Sequence, residues 1–178
     1  KGQAELAGTP ALPLVSANLR ASQLRLPGQL AVASLALRGE LKADAASPFQ
    51  LLLDASGVQS GRLAVEQLHA RADGQRLHHR LQLDGRFRLD AHAYTLALAA
   101  SGGLPAASSQ WRGMLEKLTL TGTPGVRLLA PAALEIGPAR QRLANARWAA
   151  LGGSVQLAEW LRSANGNVSS RGQANGLH

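Results

Sequence analysis

The most regular feature of the sequence is an alternation of apolar and polar residues from Leu77 to Ala91. Side chains two residues apart point to the same side of a β-strand, so the pattern predicts a strand with one apolar and one charged face. A strand over this whole stretch would reach roughly 50 Å, whereas most strands have about 5–6 residues. The alternation therefore indicates a sheet that lines something extended.

Turn signals separate the other alternating stretches. Gly, Pro, Ser, Asn and Asp favour tight turns, and at this close spacing they predict hairpins between antiparallel strands. They occur at Pro27-Gly28, Gly39, Ser47-Pro48, Ser56-Gly57, Ser60-Gly61, Asp73-Gly74, Ser101 to Gly103, Gly122 to Gly125, Pro131, Gly137-Pro138, Gly152-Gly153 and Asn165-Gly166. We therefore predict an all-β antiparallel domain, with a long hairpin loop from Ser101 to Ser109 before a strand that begins at Trp111.

A weak repeat predicts that the sheet is curved. Two apolar residues at i and i+2 are followed by two more at i+5 and i+7. The three-residue step breaks the alternation once, as a β-bulge does, and repeated bulges curve a sheet. The repeat occurs at Leu19, Ala21, Leu24, Leu26; at Leu30, Val32, Leu35, Leu37; at Leu63, Val65, Leu68, Ala70; and, shifted, at Gly113, Leu115, Leu118, Leu120.

In two segments the sequence fits a strand and a helix equally well. Residues 139–151 contain helix formers, with Leu143, Ala146, Trp148 and Leu151 roughly on one side. Residues 156–163 place Leu157, Trp160 and Leu161 at a spacing that fits a helix. The residues that flank the first segment alternate as strands do. The sequence alone does not decide the secondary structure of this part.

Composition narrows the class of protein. The chain has 178 residues, 46% hydrophobic and 3% aromatic, and contains no cysteine, so aliphatic residues must supply the apolar surface and thiol chemistry is excluded. The net charge of +8 suits nucleic acid, anionic lipid or an acidic partner. Its Arg residues are scattered without a basic run, which favours a solvated outer face. No stretch approaches the roughly 18 apolar residues of a membrane span.

The histidines and carboxylates do not form a site. His78 and His79 point to opposite sides of an alternating strand, so they cannot both bind one metal ion. Asp84 and Asp90 lie roughly 20 Å apart along the strand, too far for paired-carboxylate catalysis, and we expect them to pair with neighbouring arginines. Phosphate-loop, nucleophile-elbow and zinc-protease motifs are absent from the sequence. We expect no enzyme activity, no cofactor and no metal.

Nucleic acid is also an unfavourable partner. Proteins that bind single strands stack bases on exposed aromatic side chains beside basic residues. The six aromatic residues of this chain mostly lie at positions that face the apolar side of the predicted strands, so packing explains them. They are Phe49, Phe87, Tyr94, Trp111, Trp148 and Trp160. We therefore expect no nucleic acid partner.

The apolar face must be hidden from water in one of two ways. A closed β-sandwich would pack it against a second sheet, and on the pattern alone this is the favoured alternative. A curved sheet could instead form a trough that a ligand or partner fills. The long strand and the aliphatic, aromatic-poor lining argue for the trough, because such a surface suits acyl chains better than a closely fitted core.

A series of motifs in the second half of the chain resembles a known family. They are LHHRLQLDGRFRLDAHAYTLALAASGG, then Trp111-x-Gly113-x-Leu115-x-x-Leu118-x-Leu120, then Val126 to Ala132, then Leu134 and Ile136, and the tail from Gly172 to Leu177. With these residues the segment from Gly85 to Leu177 resembles the C-terminal part of the TamB family and the wider AsmA-like group of bridge-like lipid transfer proteins. The resemblance is strong from Trp111 to Pro131 and loose before residue 60.

The resemblance implies a curved antiparallel sheet folded into a U-shaped hydrophobic groove, or β-taco. It implies that residues 1–178 are one groove segment excised from a longer periplasmic protein, anchored in the inner membrane of a Gram-negative bacterium. Arg80, Arg86 and Arg88 would face water. The residues implied to line the groove are Leu77, Leu81, Leu83, Phe87, Leu89, Leu96, Leu98, Trp111, Leu115, Leu118 and Leu120.

The function implied by the resemblance is not enzymatic. The groove would shield the acyl chains of phospholipids that move between the inner and outer membranes. It would also support the assembly of outer-membrane proteins and autotransporters with a TamA-like outer-membrane barrel. The alternative is a chaperone-like module that binds unfolded outer-membrane β-strands by adding them to a free sheet edge.

Overall fold

The computed structural model describes residues 2–9, 12–26, 30–42, 44, 46–105 and 108–177, with backbone alone for 2–9, 12–15, 26, 41 and 42. The described residues form strands joined by turns and loops and contain no helix. The strands are β1 (Gly2–Thr9), β2 (Leu12–Leu26), β3 (Leu30–Lys42), β4 (Phe49–Ser60), β5 (Leu63–Gly74), β6 (His79–Leu89), β7 (His92–Gly103), β8 (Trp111–Thr121), β9 (Val126–Ala130), β10 (Ala132–Ile136), β11 (Arg140–Ala150), β12 (Gly153–Ser163) and β13 (Val168–Asn175).

All of these strands belong to one antiparallel sheet in which chain order and spatial order agree. Each strand pairs with the next from β1 to β8, and β10 to β13 continue the series. Strands β9 and β10 together fill one place between β8 and β11, interrupted at Pro131. A proline lacks the N–H that a central strand needs, so it divides this strand in two. The prediction of an all-β antiparallel domain is confirmed.

The long strand is shorter than predicted. Strand β6 covers His79–Leu89, eleven residues rather than the fifteen of the alternating stretch. At its start, Gln75 and His78 exchange two backbone hydrogen bonds of 2.8 and 3.0 Å that close a tight turn. At its end, Asp90 turns the chain with a φ of 55°, a conformation that Asp tolerates. The alternation of apolar and polar residues thus continues through both turns, although the turn residues are not part of the strand.

Most predicted turns are in place, and the undecided segments are strands. The turns predicted at four places are wrong, because these residues lie within strands: Gly39, Ser56-Gly57, Asp73-Gly74 and Ser101 to Gly103. The predicted turn at Pro27-Gly28 falls outside the described residues. Strand β7 extends to Gly103, so the loop before Trp111 begins later than predicted. Residues 139–151 and 156–163 fall within or beside β11 and β12.

The bulges predicted from the repeat are present, but they lie at two levels of the sheet. Those of β2 to β5 are at the level of Tyr94 and Thr95 of β7, whereas that of β8 is beside Ala99 and Ala100. In β5 and β8 the pairing register shifts at Glu66 and Glu116. In β2, Gln23 has a φ of 54° and drops out of the pairing with β3. Pairing between β3 and β4 skips Ala33 and Gly57, directly beside the bulges of β2 and β5. Because bulges bend strands, the neighbouring bulges of β2 to β5 give a line at which this part of the sheet curves.

The two sides of the sheet differ in burial and charge. We call the side that carries Leu83 the apolar face and the opposite side the outer face. The few buried side chains of the described residues are small or medium-sized, such as Ala132 (0% exposed) and Leu115 (4% exposed), and no large side chain is fully buried. Two packed sheets would bury many large residues between them. The structure is therefore a single curved sheet, as the β-taco prediction requires, and not the closed sandwich.

A charged network ties β10, β11 and β12 together on the outer face. The Arg142 guanidinium donates hydrogen bonds to Glu159 Oε1 at 2.6 Å and to Glu135 Oε1 at 3.3 Å. Gln110 Nε2 donates to the second oxygen of Glu135 at 2.8 Å. The hydrogen bond from Arg142 lowers the pKa of Glu159, and the same bond raises the pKa of Arg142. The carboxylates of the two glutamates thus neutralise the charge of Arg142 and link the three strands.

Close packing at Gly102 gives a first prediction. A Cβ at Gly102 would lie 2.6 Å from the Trp111 ring and 2.7 Å from Gly113 Cα on the neighbouring strand. We expect Gly102→Ala to lower the free energy of unfolding by about 1–3 kcal/mol, as overpacking typically does. The matched control is Gly85→Ala, where the nearest atom is a Leu68 methyl at 3.2 Å that can shift. Urea unfolding checks this, and equal losses in both variants would contradict it.

The network gives a second prediction, for pH. A carboxylate with a lowered pKa stabilises the folded state above its unfolded pKa, and this contribution is lost as the pH falls through the folded pKa. Glu159→Gln should therefore be less stable than wild type at neutral pH. The difference should shrink below about pH 4.3, the ordinary value for Glu. Thermal unfolding at several pH values measures it.

The control for this prediction is Glu66→Gln. Glu66 pairs with Arg88 at 3.2 Å in a more exposed setting, where ion pairs contribute little. An effect of Glu159→Gln that is no larger than the control, or that does not change with pH, would contradict the account.

Candidate apolar groove

Rows of paired residues build the apolar face across the strands. In an antiparallel sheet, residues that pair directly project their side chains to the same side. One such row runs from β2 to β8 and another lies beside it along the strands. The first is Leu19, Leu37, Leu53, Ala70, Leu83, Leu98 and Leu118, and the second is Ala21, Leu35, Ala55, Leu68, Gly85, Leu96 and Leu120. Both rows lie between the bulges of β2 to β5 and the bulge of β8, so no bulge interrupts them.

Ten of the eleven residues predicted to line a groove lie on this face. By register, Leu81 pairs with Ala100, Leu89 with His92, and Trp111 with Ile136. The other seven pair among themselves or with apolar residues, and they are Leu83, Phe87, Leu96, Leu98, Leu115, Leu118 and Leu120.

Leu77 is the exception among the eleven. It lies in the bend before β6, is 46% exposed and borders a cavity with the outer-face residues Arg80 and Arg112. Because the strand begins only at His79, the alternation does not carry Leu77 into the apolar face.

The apolar face is partly open to solvent. Leu115 is buried, but Leu89 is 44% exposed and Ile136 is 46% exposed. Most of the remaining leucines on the face are half-buried. Hydrophobic side chains that stay this exposed in a continuous surface indicate a binding face, because single scattered ones would need no explanation.

The apolar face continues beyond the predicted residues into β9, β11 and β12. Trp148 pairs with Leu128 and Val155, and Trp160 pairs with Leu143. Together with Trp111, all three tryptophans of the chain therefore lie on the same face. The sequence did not assign these positions because residues 139–163 fitted a helix equally well. The signal that separates the two is the break of alternation at Asn145, which is a bulge with a φ of 58°.

An aromatic group that we call the rim cluster lies where β4, β6 and β8 begin. It consists of Phe49, His79 and Trp111. Trp111 Nε1 donates a hydrogen bond to His79 Nε2 at 2.7 Å, and His79 Nδ1 lies 3.0 Å from the Gln75 carbonyl oxygen. The indole N–H is only a donor and the carbonyl only an acceptor, so His79 is neutral and carries its proton on Nδ1. The Phe49 ring meets the imidazole edge to face at 5.4 Å.

Sequence reasoning missed the role of His79, which was weighed only as a metal ligand. The signal that identifies the rim cluster is its pattern of glycines. His79 pairs with Gly74 and Gly102, and Gly102 pairs with Gly113. These positions lack a side chain, so the large rings can lie across them.

A second aromatic pair lies toward the opposite ends of the strands. Phe87 and Tyr94 pair across β6 and β7, with ring centroids 5.4 Å apart and planes tilted by 20°. The Tyr94 hydroxyl donates to the Thr123 carbonyl oxygen at 2.9 Å. Aromatic residues with a satisfied polar group suit a boundary between apolar surface and water. Aromatic residues therefore border the apolar face at both ends of β6 and β7.

The outer face carries the charged residues, with partners that differ from those expected. Arg86 donates to Gln67 at 2.5 Å, and Arg88 pairs with Glu66. Asp90 binds Arg62 through both carboxylate oxygens, so its predicted pairing with the arginines of β6 is wrong. Cross-strand neighbours provide these partners, because the side chains that face each other across strands lie closer than those along one strand.

Within the described residues, the chemistry available is that of an apolar surface. No three His, Asp or Glu residues of this part of the chain come together to hold a metal ion. Over the same residues, no helix has the length and apolar character required to cross a membrane. The curved face can exclude water from apolar material over many strands, and it presents no cluster of reactive groups.

Comparison with known proteins identifies the family. No curated protein and no solved structure matches the chain. The sequence model of a family described as "TamB, N-terminal domain" matches residues 1–146. The family expected from the resemblance is thus confirmed, but the matched region differs from the C-terminal part to which the motifs had pointed. Since the match covers most of the chain, the protein belongs to the TamB family.

Proposed function

We propose that this chain is a non-enzymatic groove segment that shields phospholipid acyl chains on their way between the inner and outer membranes. The observation that carries the proposal is the apolar face, which runs without interruption across the strands and is not covered by other parts of the described chain. Membership of the TamB family supports it, since it suggests a role in outer-membrane assembly or lipid transport.

The side chains of the apolar face suit a hydrocarbon chain better than a ligand that needs a closely fitted pocket. Its side chains are mainly Leu, Ala and Val, with aromatic residues near its margins. Transfer of apolar surface out of water is favourable by about 25 cal/mol per Å² and does not depend on direction. A lipid chain can therefore be held by area alone and can slide along the face.

The proposal includes the cellular setting that membership of the family suggests. It would belong to a longer inner-membrane-anchored protein in the periplasm of a Gram-negative bacterium. A TamA-like outer-membrane barrel would be its partner at the far membrane. Delivery of lipid there would support the assembly of outer-membrane proteins and autotransporters.

A second candidate function rests on the edge of the described sheet at β13. Strand β13 ends the described sheet, and all eight of its residues are exposed. It contains neither proline nor lysine, the residues that commonly protect an edge from further pairing. An unfolded outer-membrane strand could add to this edge through backbone hydrogen bonds.

Charge on the apolar face should release lipid. We expect Leu83→Asp/Phe87→Asp/Leu118→Asp to lose most of the phospholipid that the wild-type chain retains after purification without detergent, because a buried unpaired carboxylate is costly. Extraction of the purified protein followed by mass spectrometry of the lipids measures this.

The control adds three negative charges to the outer face of β6, β7 and β8, as Gln82→Asp/Thr95→Asp/Thr119→Asp. Circular dichroism shows whether both variants keep the sheet. Equal lipid content in the folded apolar-face variant and in wild type would contradict the proposal.

Proline at this edge of the described sheet separates the two candidate functions. Successive N–H groups of β13 point alternately toward β12 and away from it, so Ser169→Pro and Ser170→Pro block different sides of the strand. For a lipid groove, both variants should retain lipid as wild type does. Loss of binding of a labelled outer-membrane strand peptide in one variant, with lipid retention unaffected by the Asp substitutions, would favour the edge as the binding site.

A further inference from the structure

A cavity of about 610 Å³ lies beside the rim cluster, at the ends of β5 to β8. This volume falls within the range of about 300–1,000 Å³ that is usual for small-molecule sites. Its polar lining comes from Asp73, His78, Arg80, Ser101 and Arg112. The cavity is therefore large enough for a small polar group and is bordered by two guanidinium groups.

The residues that line this cavity carry a net positive charge, with Arg80 and Arg112 against Asp73. Glu116 lies nearby and accepts a hydrogen bond from the lining residue Ser101. Asp73 and Glu135 are the cross-strand neighbours of Arg80 and Arg112, but Asp73 pairs with Arg71 at 2.8 Å and Glu135 binds Gln110 and Arg142. The two arginines at one cavity favour an anion, and their planar groups suit phosphate oxygens.

The fold builds this cavity with a glycine and a tight bend. Gly103, at the end of β7, lies so close to the Leu77 backbone that a Cβ has no room there. Leu104 N–H donates to the Arg76 carbonyl at 2.8 Å, which holds the bend against the loop. Since Gly103 pairs with Arg112, no side chain at that position separates Arg112 from Arg80.

The cavity adjoins the apolar face at its margin. His79 and Gly102 border the cavity and also pair with each other in the row that carries the rim cluster. Leu81, two residues along β6 from His79, lies on the apolar face. A molecule with its apolar part on Leu81 and Trp111 could thus reach over the end of the strands and place a polar group between Arg80 and Arg112.

We propose that this cavity binds the phosphodiester of a phospholipid whose acyl chains lie on the apolar face. The inference rests on the proposed function and adds to it a defined headgroup site with Arg80 and Arg112 as its anion-binding residues. The groove then binds the acyl chains through their buried apolar surface. The cavity binds the phosphate and holds the lipid at the ends of β5 to β8.

The test compares two soluble short-chain lipids with the same acyl chains. Phosphatidylglycerol carries the phosphodiester and diacylglycerol lacks it, and isothermal titration calorimetry below their micelle concentrations gives both affinities. We expect wild type to prefer phosphatidylglycerol about tenfold or more, since charge-assisted hydrogen bonds to two arginines are lost with diacylglycerol. Arg80→Gln/Arg112→Gln should remove this preference and leave diacylglycerol binding unchanged.

The matched control is Arg86→Gln/Arg88→Gln, which removes the same charge from the same outer face at residues with partners of their own. It should keep the preference of wild type. A wild type without preference, or a control that loses the preference as fully as the cavity variant, would overturn the headgroup site while the lipid groove stands. A wild type that binds neither lipid would overturn the groove as well.

Inorganic phosphate separates a lipid site from a site for the free anion. Titrated alone, it should bind wild type far more weakly than phosphatidylglycerol does, because the apolar face makes no contribution. Binding of inorganic phosphate as tight as that of the lipid, and lost in Arg80→Gln/Arg112→Gln, would assign the cavity to free phosphate and overturn the proposal.

Discussion

The constraint on which the structure depends is that one side of a very wide sheet is apolar and has nothing in the described chain to cover it. The described residues form one sheet of thirteen strands in chain order, and none of them forms a second layer against it. Removal of this surface from water is the main favourable contribution available to the chain. Curvature brings parts of the face toward each other, and a bound apolar molecule can complete the burial. The absence of large, fully buried side chains among the described residues agrees with a face that is completed from outside.

The bulges determine how this curvature arises. Strands β6 and β7 pair without a register slip. In β2 to β5 one extra residue slips the alternation at one level, in β8 it does so at another level, and the inward side chains resume beyond each bulge. The result is a sheet that bends at its bulges while one face remains apolar. The glycines near the rim cluster serve a related purpose, because they make space for rings to lie flat on the sheet.

Much of this could be predicted from the sequence because period-2 alternation and the three-residue slip are local signals. They identified the strand class and the bulges in β2, β3, β5 and β8. The resemblance to the family supplied the eleven residues expected to line a groove, ten of which lie on the apolar face. The pattern failed where a turn imitates a strand, as at Leu77, or where a bulge at Asn145 makes a strand resemble a helix. The rim cluster and the cavity beside Arg80 and Arg112 depend on residues more than 20 positions apart that only strand pairing brings together. Such contacts leave no local signature in one sequence.

Fluorescence quenching by phospholipids with brominated acyl chains tests the central claim most directly. Trp111, Trp148 and Trp160 all lie on the apolar face, and bromine quenches indole emission only at close contact. The account predicts strong quenching when the chain is loaded with brominated lipid, little quenching with the same lipid unbrominated, and protection of the tryptophans from iodide in the loaded state. Emission that brominated lipid leaves unchanged, with tryptophans equally open to iodide with and without lipid, would contradict a lipid-filled groove.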